Sequence, residues 1–371
     1  MSARAERLED HFSPDYATAR ERFRAAARRA DAALFSLPLA ERGPRSEPLA
    51  IDIARLGSAD APRVLLHTSG VHGVEAYAGS AIQLALLGTR HPLSRDTALV
   101  FVHALNPYGM AWLRRANEHN VDLNRNFTDR HTDDNNGASD GDMAVYAQLD
   151  PLLNPRSPPR RDAFLLRAGL HVLRRGRKAV QQAVARGQYR FPRGLFYGGT
   201  ALEPGPRQFV AWLGEHLAAA TMVTALDVHT GLGARGDDTL LVAAGTVTPP
   251  GYAEALGKPL VDAAGADPSA YVVRGSLAEG LRRALPDARL HAVTQEFGTE
   301  PLLRIISALR DENRWHLHGE GGVDHWSKQR LREALCPADL AWRRAVVRRG
   351  VAAASGALAW LQTSTFSERT S

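Results

Sequence analysis

The sequence predicts an α/β protein, a sheet covered by helices on both faces. Three observations lead there. Apolar runs of strand length, PRVLLHTSG at 62–70, TALVFVHALNP at 97–107 and TMVTALDVHT at 221–230, alternate with helical segments such as AYAGSAIQLALLG at 76–88, the pattern of a sheet layered between helices. No internal repeat interrupts that alternation. Groups capable of chemistry stand at or just beyond strand ends, where open α/β sheets place their ligand crevice.

Taken in order, residues 1–35 read as helical, with Ser13-Pro14 as N-cap and first-turn proline. PLAIDIARLG (48–57) and PRVLLHTSG read as strands, AYAGSAIQLALLG as a helix with small residues that allow close packing, and TALVFVHALNP as a strand ending at proline. GMAWLRRAN forms a short helical turn and VDLNRNF enters a loop. Residues 128–145, rich in Asn, Asp and Gly, read as a loop. It opens a basic helical insertion at about 128–200. PRQFVAWLGEHLAAA reads as a helix. TMVTALDVHT, DTLLVAAGT, AYVVRG and ARLHAVTQEFG read as strands, and 330–363 as helical. No linker divides the chain, so 1–363 is expected to be one domain and 364–371 a disordered tail.

Composition narrows the function classes. The chain has 371 residues, 44% hydrophobic and 23% charged, as in ordinary globular proteins. No run of about 18 apolar residues is present to span a membrane, and the N-terminus lacks the apolar core of a secretory signal. With one cysteine, Cys336, there is no intramolecular disulfide and no cysteine-based zinc cluster. A cytoplasmic location is expected, and any metal site must use His, Asp and Glu. Only Lys178, Lys258 and Lys328 among the 46 basic residues are lysines. The basic cluster at 156–194 carries no nucleic-acid-binding motif. It reads as a solvated arginine face that could steer anionic substrates.

Four segments place reactive side chains at strand ends: SGVHGVE with His72 and Glu75, VDLNRNF with Asn124 and Arg125, TALDVHTG with His229, and HAVTQEFGT with Glu296. Two histidines and one carboxylate with a fourth position open make a common catalytic zinc shell. His72, Glu75 and His229 would supply it. Glu296 could take a proton from the metal-bound water. Asp227, two residues before His229 and on the same strand face, could orient that ligand.

Two motif matches point elsewhere. Gly137-Ala138-Ser139-Asp140-Gly141 fits a nucleophile elbow but sits in a polar loop. Gly231-Leu232-Gly233-Ala234-Arg235-Gly236 fits a dinucleotide fingerprint but leads into strand-like DTLLVAAGT rather than a helix. His316, His318 and His325 match no metal-binding spacing.

HGVE at 72–75, NPYG at 106–109, VDLNRNF at 121–127, then His229 and Glu296 occur in the order of the zinc carboxypeptidases. Over about residues 60–300 the chain resembles the carboxypeptidase A superfamily. It looks most like an uncharacterised bacterial metallopeptidase-like branch, with some similarity to the aspartoacylase and succinylglutamate desuccinylase branch. The resemblance implies a three-layer α/β/α fold with a mixed, mostly parallel sheet of about eight strands. It implies Zn2+ held by His72, Glu75 and His229, with Glu296 as general base and acid. Arg115, nine residues before Asn124, would polarise the scissile carbonyl. Asn124 and Arg125 would grip the substrate's terminal carboxylate.

The expected activity is hydrolysis of an amide bond beside a free carboxylate, in a small peptide or, in the alternative, an N-acyl amino acid. A non-catalytic anion-binding role for the basic insertion is the reading from a different class. The resemblance has gaps. Gly and Val fill the positions between His72 and Glu75, where some carboxypeptidases carry an arginine. No motif aligns the family's mobile tyrosine, for which Tyr197 and Tyr271 are the candidates.

Overall fold

The computed structural model describes residues 7–128, 140–176, 186–243, 246–263 and 273–364. Eight strands form one sheet: β1 (Ala33–Arg42), β2 (Pro48–Gly57), β3 (Arg63–Ser69), β4 (Thr97–His103), β5 (Met222–Arg235), β6 (Asp238–Val242), β7 (Leu260–Asp262) and β8 (Arg289–Gly298). Their order is β1-β2-β4-β3-β5-β8-β6-β7. The central four, β4, β3, β5 and β8, run parallel. At one edge β2 is antiparallel to β4 and β1 to β2. At the other, β6 is antiparallel to β8 and parallel to β7. The sheet is therefore mixed and mostly parallel, as expected.

Parallel strands covered on both faces read as nearly continuous apolar runs. β3 and β4 are buried along almost their whole length, as are the first ten residues of β5. One face is covered by α1 (Tyr16–Arg29) and α2 (Ala76–Leu87), with the last helix of the chain, Leu340–Thr363, beside them; Phe23, Tyr77, Ile82 and Val346 fill that core layer. Helices Pro204–His216 and Leu277–Ala284 cover the other face, with Phe209, Trp212, Leu277 and Leu281 inside. In chain order the remaining helices are α3 (Pro107–Ala111), α4 (Asp140–Leu153) and α5 (Phe164–Arg175). After them come α6 (Pro204–His216), α7 (Tyr252–Leu256), α8 (Leu277–Ala284), α9 (Leu302–His318), α10 (Trp326–Leu335) and α11 (Leu340–Thr363).

Several expectations need correction. The N-terminal helical reading runs too far. α1 ends at Arg29 and Ala33–Arg42 is an edge strand, paired with β2 in the register Leu34↔Ala54. Its burial alternates, and Pro38 is tolerated because only one side of the strand is paired. The cap of α1 is Asp15, whose carboxylate accepts from Thr18 N at 2.8 Å, rather than Ser13. α4 begins at Asp140, inside the stretch read as loop.

The C-terminal helical stretch is two helices, α10 and α11, broken at Cys336 and Pro337. Residues 273–275 of AYVVRG are not strand. The rest of AYVVRG, Gly137 to Ser139 of the elbow match and all but one residue of the 364–371 tail lie outside the described residues. The dinucleotide-like glycines continue β5 to Arg235 and open no helix. Among the described residues, no helix is long and apolar enough to cross a membrane.

Asp52 on β2 has a fully buried side chain. It accepts from Arg20 Nε and Arg24 Nη1 of α1, each at 2.6 Å. Burial works against its ionisation, but the hydrogen bond and charge of Arg20 outweigh that and hold its pKa below the ordinary aspartate value. A depressed folded-state pKa contributes stability above the unfolded value and loses it as the pH falls through the folded one. Asp52→Asn should cost roughly 2 kcal/mol at neutral pH, less than for a fully buried pair because both arginines keep some solvent. Urea titrations should show that difference shrinking below about pH 4.

Candidate metal centre

β3 ends at Ser69, and the chain turns through Gly70 to His72, which precedes a single 3-10 turn, Gly73–Glu75, leading into α2. A three-residue helical spacing puts the side chains of His72 and Glu75 on one side. His72 Nδ1 lies 3.1 Å from Glu75 Oε1. The turn rests on α3. A Cβ on Gly73 would lie 2.0 Å from the carbonyl carbon of Gly109, so the two backbones meet where only glycine fits. Asn106 caps α3 by accepting from Gly109 N at 2.8 Å and donates its amide to Arg115 O at 3.1 Å. Gly73 N and Val74 N donate to Arg115 O and Arg114 O. The NPYG block thus docks the HGVE turn and places two arginines beside it.

The third group comes from β5. Parallel pairing sets Ser69 beside Val228, so His229 emerges next to the turn. Thr230 N donates to Glu75 Oε2 at 3.0 Å, and His229 Nδ1 stands 3.5 Å from that same oxygen. The two imidazoles are 4.8 Å apart between centroids and inclined at 78°. His72, Glu75 and His229 are all buried, with ligand atoms within 4.8 Å of one another. Donors about 2 Å from one tetrahedral ion stand roughly 3.3 Å apart, and the 3.1 and 3.5 Å separations bracket that figure.

The far nitrogens face carboxylates. His72 Nε2 is 3.1 Å from Asp122 Oδ1, and His229 Nε2 is 2.7 Å from Asp227 Oδ2. Thr68 Oγ1 donates to Asp227 Oδ1 at 2.7 Å. Each carboxylate fixes its ring with Nδ1 turned toward Glu75, an arrangement metal-ligating histidines use. His72 Nδ1 is buried and makes no hydrogen bond. A buried ring nitrogen without a hydrogen-bond partner, beside a second imidazole and a carboxylate, fits a divalent cation of the zinc type.

The electrostatics favour positive charge at this point. Burial opposes ionisation of Glu75, but His72, His229 and Arg115 outweigh it and hold the carboxyl well below its usual range. Burial also lowers the proton affinity of His229, yet Asp227 and Glu75 overcome this and raise its pKa well above the ordinary value. Burial likewise resists ionisation of Asp122, and Arg115 and His72 hold it strongly ionised.

Glu296 on β8 is the register neighbour of His229 on β5. Its Oε1 accepts from Leu232 N at 2.9 Å. Gly231, between His229 and Leu232, has φ +148°, a backbone conformation that favours glycine. Burial pushes the Glu296 pKa up, helped by the charge of Glu75 and opposed by His229.

Arg115 reaches Glu75 Oε1 at 3.1 Å, Asp122 Oδ2 at 3.0 Å and His72 Nε2 at 2.7 Å, with its guanidinium 5.5 Å from the centre of the Phe196 ring. Arg114 turns the other way, donating to buried Glu312 at 2.9 Å. Asn124 accepts from Leu277 N at 2.9 Å, and buried Arg125 donates to Asn124 O at 3.0 Å. His72, Glu75, Arg115, Asn124, Arg125, His229 and Glu296 all line one cavity of about 810 Å³. The structure thus brings these seven residues, and Asp227 with them, to one cavity.

Asp122 was missed, although it is the only carboxylate in the VDLNRNF block. Tyr197 packs into the core layer under α6 and α8, and its neighbour Phe196 lines the cavity instead. Tyr271 lies outside the described residues. His325 caps α10 and stacks on Trp315 at 3.6 Å. Among the described residues, one other group could hold an ion, the partly exposed Glu118, His119 and Glu203.

The layered sheet with a buried His, Glu and His at its strand ends belongs to the zinc-carboxypeptidase class of fold. Bovine thrombin-activatable fibrinolysis inhibitor, solved in complex with tick carboxypeptidase inhibitor, matches 94% of this chain and 96% of its own at TM-score 0.51 and 10% identity. Carboxypeptidase A from Helicoverpa armigera matches 92% of this chain and 74% of its own at TM-score 0.47 and 13% identity. The chain belongs to the family described as "Protein of unknown function (DUF2817)", whose model matches residues 12–349. No curated protein matches the sequence.

Proposed function

We propose that this chain is a zinc-dependent hydrolase that cleaves an amide bond adjacent to a free carboxylate. The observation that carries the reading is the convergence of His72 Nδ1, Glu75 and His229 Nδ1 beside Glu296 in a single cavity. The two imidazoles and Glu75 would hold the ion. When bound, zinc polarises a carbonyl and lowers the pKa of a water.

The chain's own residues do the rest. Glu296 accepts the water's proton on its carboxylate and delivers it to the departing nitrogen. Its raised pKa suits both halves of that transfer. Arg115 sits against the ligand set. From there its guanidinium would stand beside the substrate's carbonyl oxygen, where negative charge develops. Arg125 matches a terminal carboxylate because its planar fork donates two parallel hydrogen bonds, and Asn124 adds an amide donor beside it.

Protein purified without added metal should carry close to one equivalent of zinc, and chelation should lower its melting temperature, since a ligand bound only to the folded state stabilises it. Glu296→Gln should keep the metal and lose about 10²–10⁴ in kcat; full activity with metal retained would reject Glu296 as the base. Arg125→Ala should raise KM about tenfold or more for substrates with a free carboxylate and leave their amidated counterparts little changed. Equal loss on both would remove Arg125 from substrate binding.

A further inference from the structure

The lining of the cavity around the proposed catalytic centre is of two kinds. Asn124 and Arg125 are tied to α8 through Leu277 N and to the core layer that contains Leu277, Leu281 and Phe127. An apolar lobe of the lining belongs to the opposite core layer. Leu149 and Leu153 of α4, Phe164 and Ala168 of α5, Phe196, and Ile306 of α9 wall it. Among the described side chains from α4 and α5 that line this lobe, only His171 is polar.

The walls are fastened from outside. Arg310 of α9 donates to Leu152 O at 2.7 Å and to Asp162 Oδ1 at 3.3 Å, and stands 4.9 Å over the Phe164 ring. Arg314 donates to Ser157 O at 3.0 Å. The insertion is thus pinned onto α9 with apolar side chains toward the cavity, while Arg156, Arg160, Arg161, Arg167 and Arg174 are exposed to solvent.

A substrate whose carboxylate sat at Asn124 and Arg125, with its scissile carbonyl at His72, Glu75 and His229, would have this lobe of the same cavity open to its remaining end. We propose that the lobe binds the acyl chain of an N-acyl amino acid, an extended aliphatic chain rather than a short polar acyl group. This rests on the hydrolase reading above. Hydrolysis would add the hydroxyl of one water to the acyl carbon, break the C–N bond and give the nitrogen the remaining proton, releasing a fatty acid and a free amino acid. A peptide's acyl side carries amide groups, which lose hydrogen bonds with water when buried against hydrocarbon; an alkyl chain has none to lose.

The test compares N-acetyl, N-butanoyl and N-octanoyl derivatives of one amino acid, and dipeptides, on the zinc-loaded full chain. Calorimetry compares acetate with octanoate binding to the same protein and to metal-free protein. Each buried methylene contributes roughly fourfold to binding, so kcat/KM should rise at least about a hundredfold from acetyl to octanoyl. Octanoate should bind both forms more tightly than acetate. Ala168→Phe, which fills the lobe from α5, should lower the octanoyl-to-acetyl ratio about tenfold or more. Equal kcat/KM for acetyl and octanoyl substrates, or a preference for dipeptides over N-octanoyl substrates, would overturn the proposal. Octanoate binding without turnover of any amide would keep the lobe and reject the hydrolase.

Discussion

The site depends on one buried carboxylate. Glu75 has almost no solvent, yet it is held ionised by two imidazoles, the Arg115 guanidinium and the Thr230 backbone amide. A buried charge survives only where partners replace the water it has lost. Those partners come from three parts of the chain. The HGVE turn, the end of β5 and the segment after α3 are therefore coupled through Glu75, and moving any of them exposes the others to the cost of an unpaired charge.

That coupling explains the close packing beneath the site. Gly73 against Gly109 lets the turn sit directly on α3, and Asn106 serves both as the cap of α3 and as a brace on the carbonyl of Arg115. Adjacent arginines then diverge: Arg114 enters a buried network with Glu312, and Arg115 joins the ligand set. The same economy recurs on the far side of the rings, where Asp122 and Asp227 orient His72 and His229 from separate elements.

Much of this could be read in advance. The buried strands β3, β4 and β5 announce themselves as apolar runs, because both of their faces are covered and little polar alternation is needed. The edges were harder. β1 alternates weakly, contains Pro38 and follows directly on a helix, so its strand character comes from pairing with β2. β7 spans three residues and exists through its contact with β6. Asp122 escaped notice because a lone aspartate beside Asn124 reads equally well as a turn former. The approach of His72 Nε2 and Arg115 Nε gives it a role.

The sequence by itself determined the alternation of strands and helices, the short-range spacing of His72 and Glu75, and the block order that tied them to His229 and Glu296. These are local properties, set by periodicity and by turns a few residues long. Tertiary structure alone decided that His229 faces Glu75, since parallel pairing of β3 with β5 joins segments more than 150 positions apart. It also decided which way each of two neighbouring arginines points, and that the arginine-rich insertion turns leucine and phenylalanine toward the cavity. Burial and pairing between distant elements settle such matters, and no local pattern encodes them.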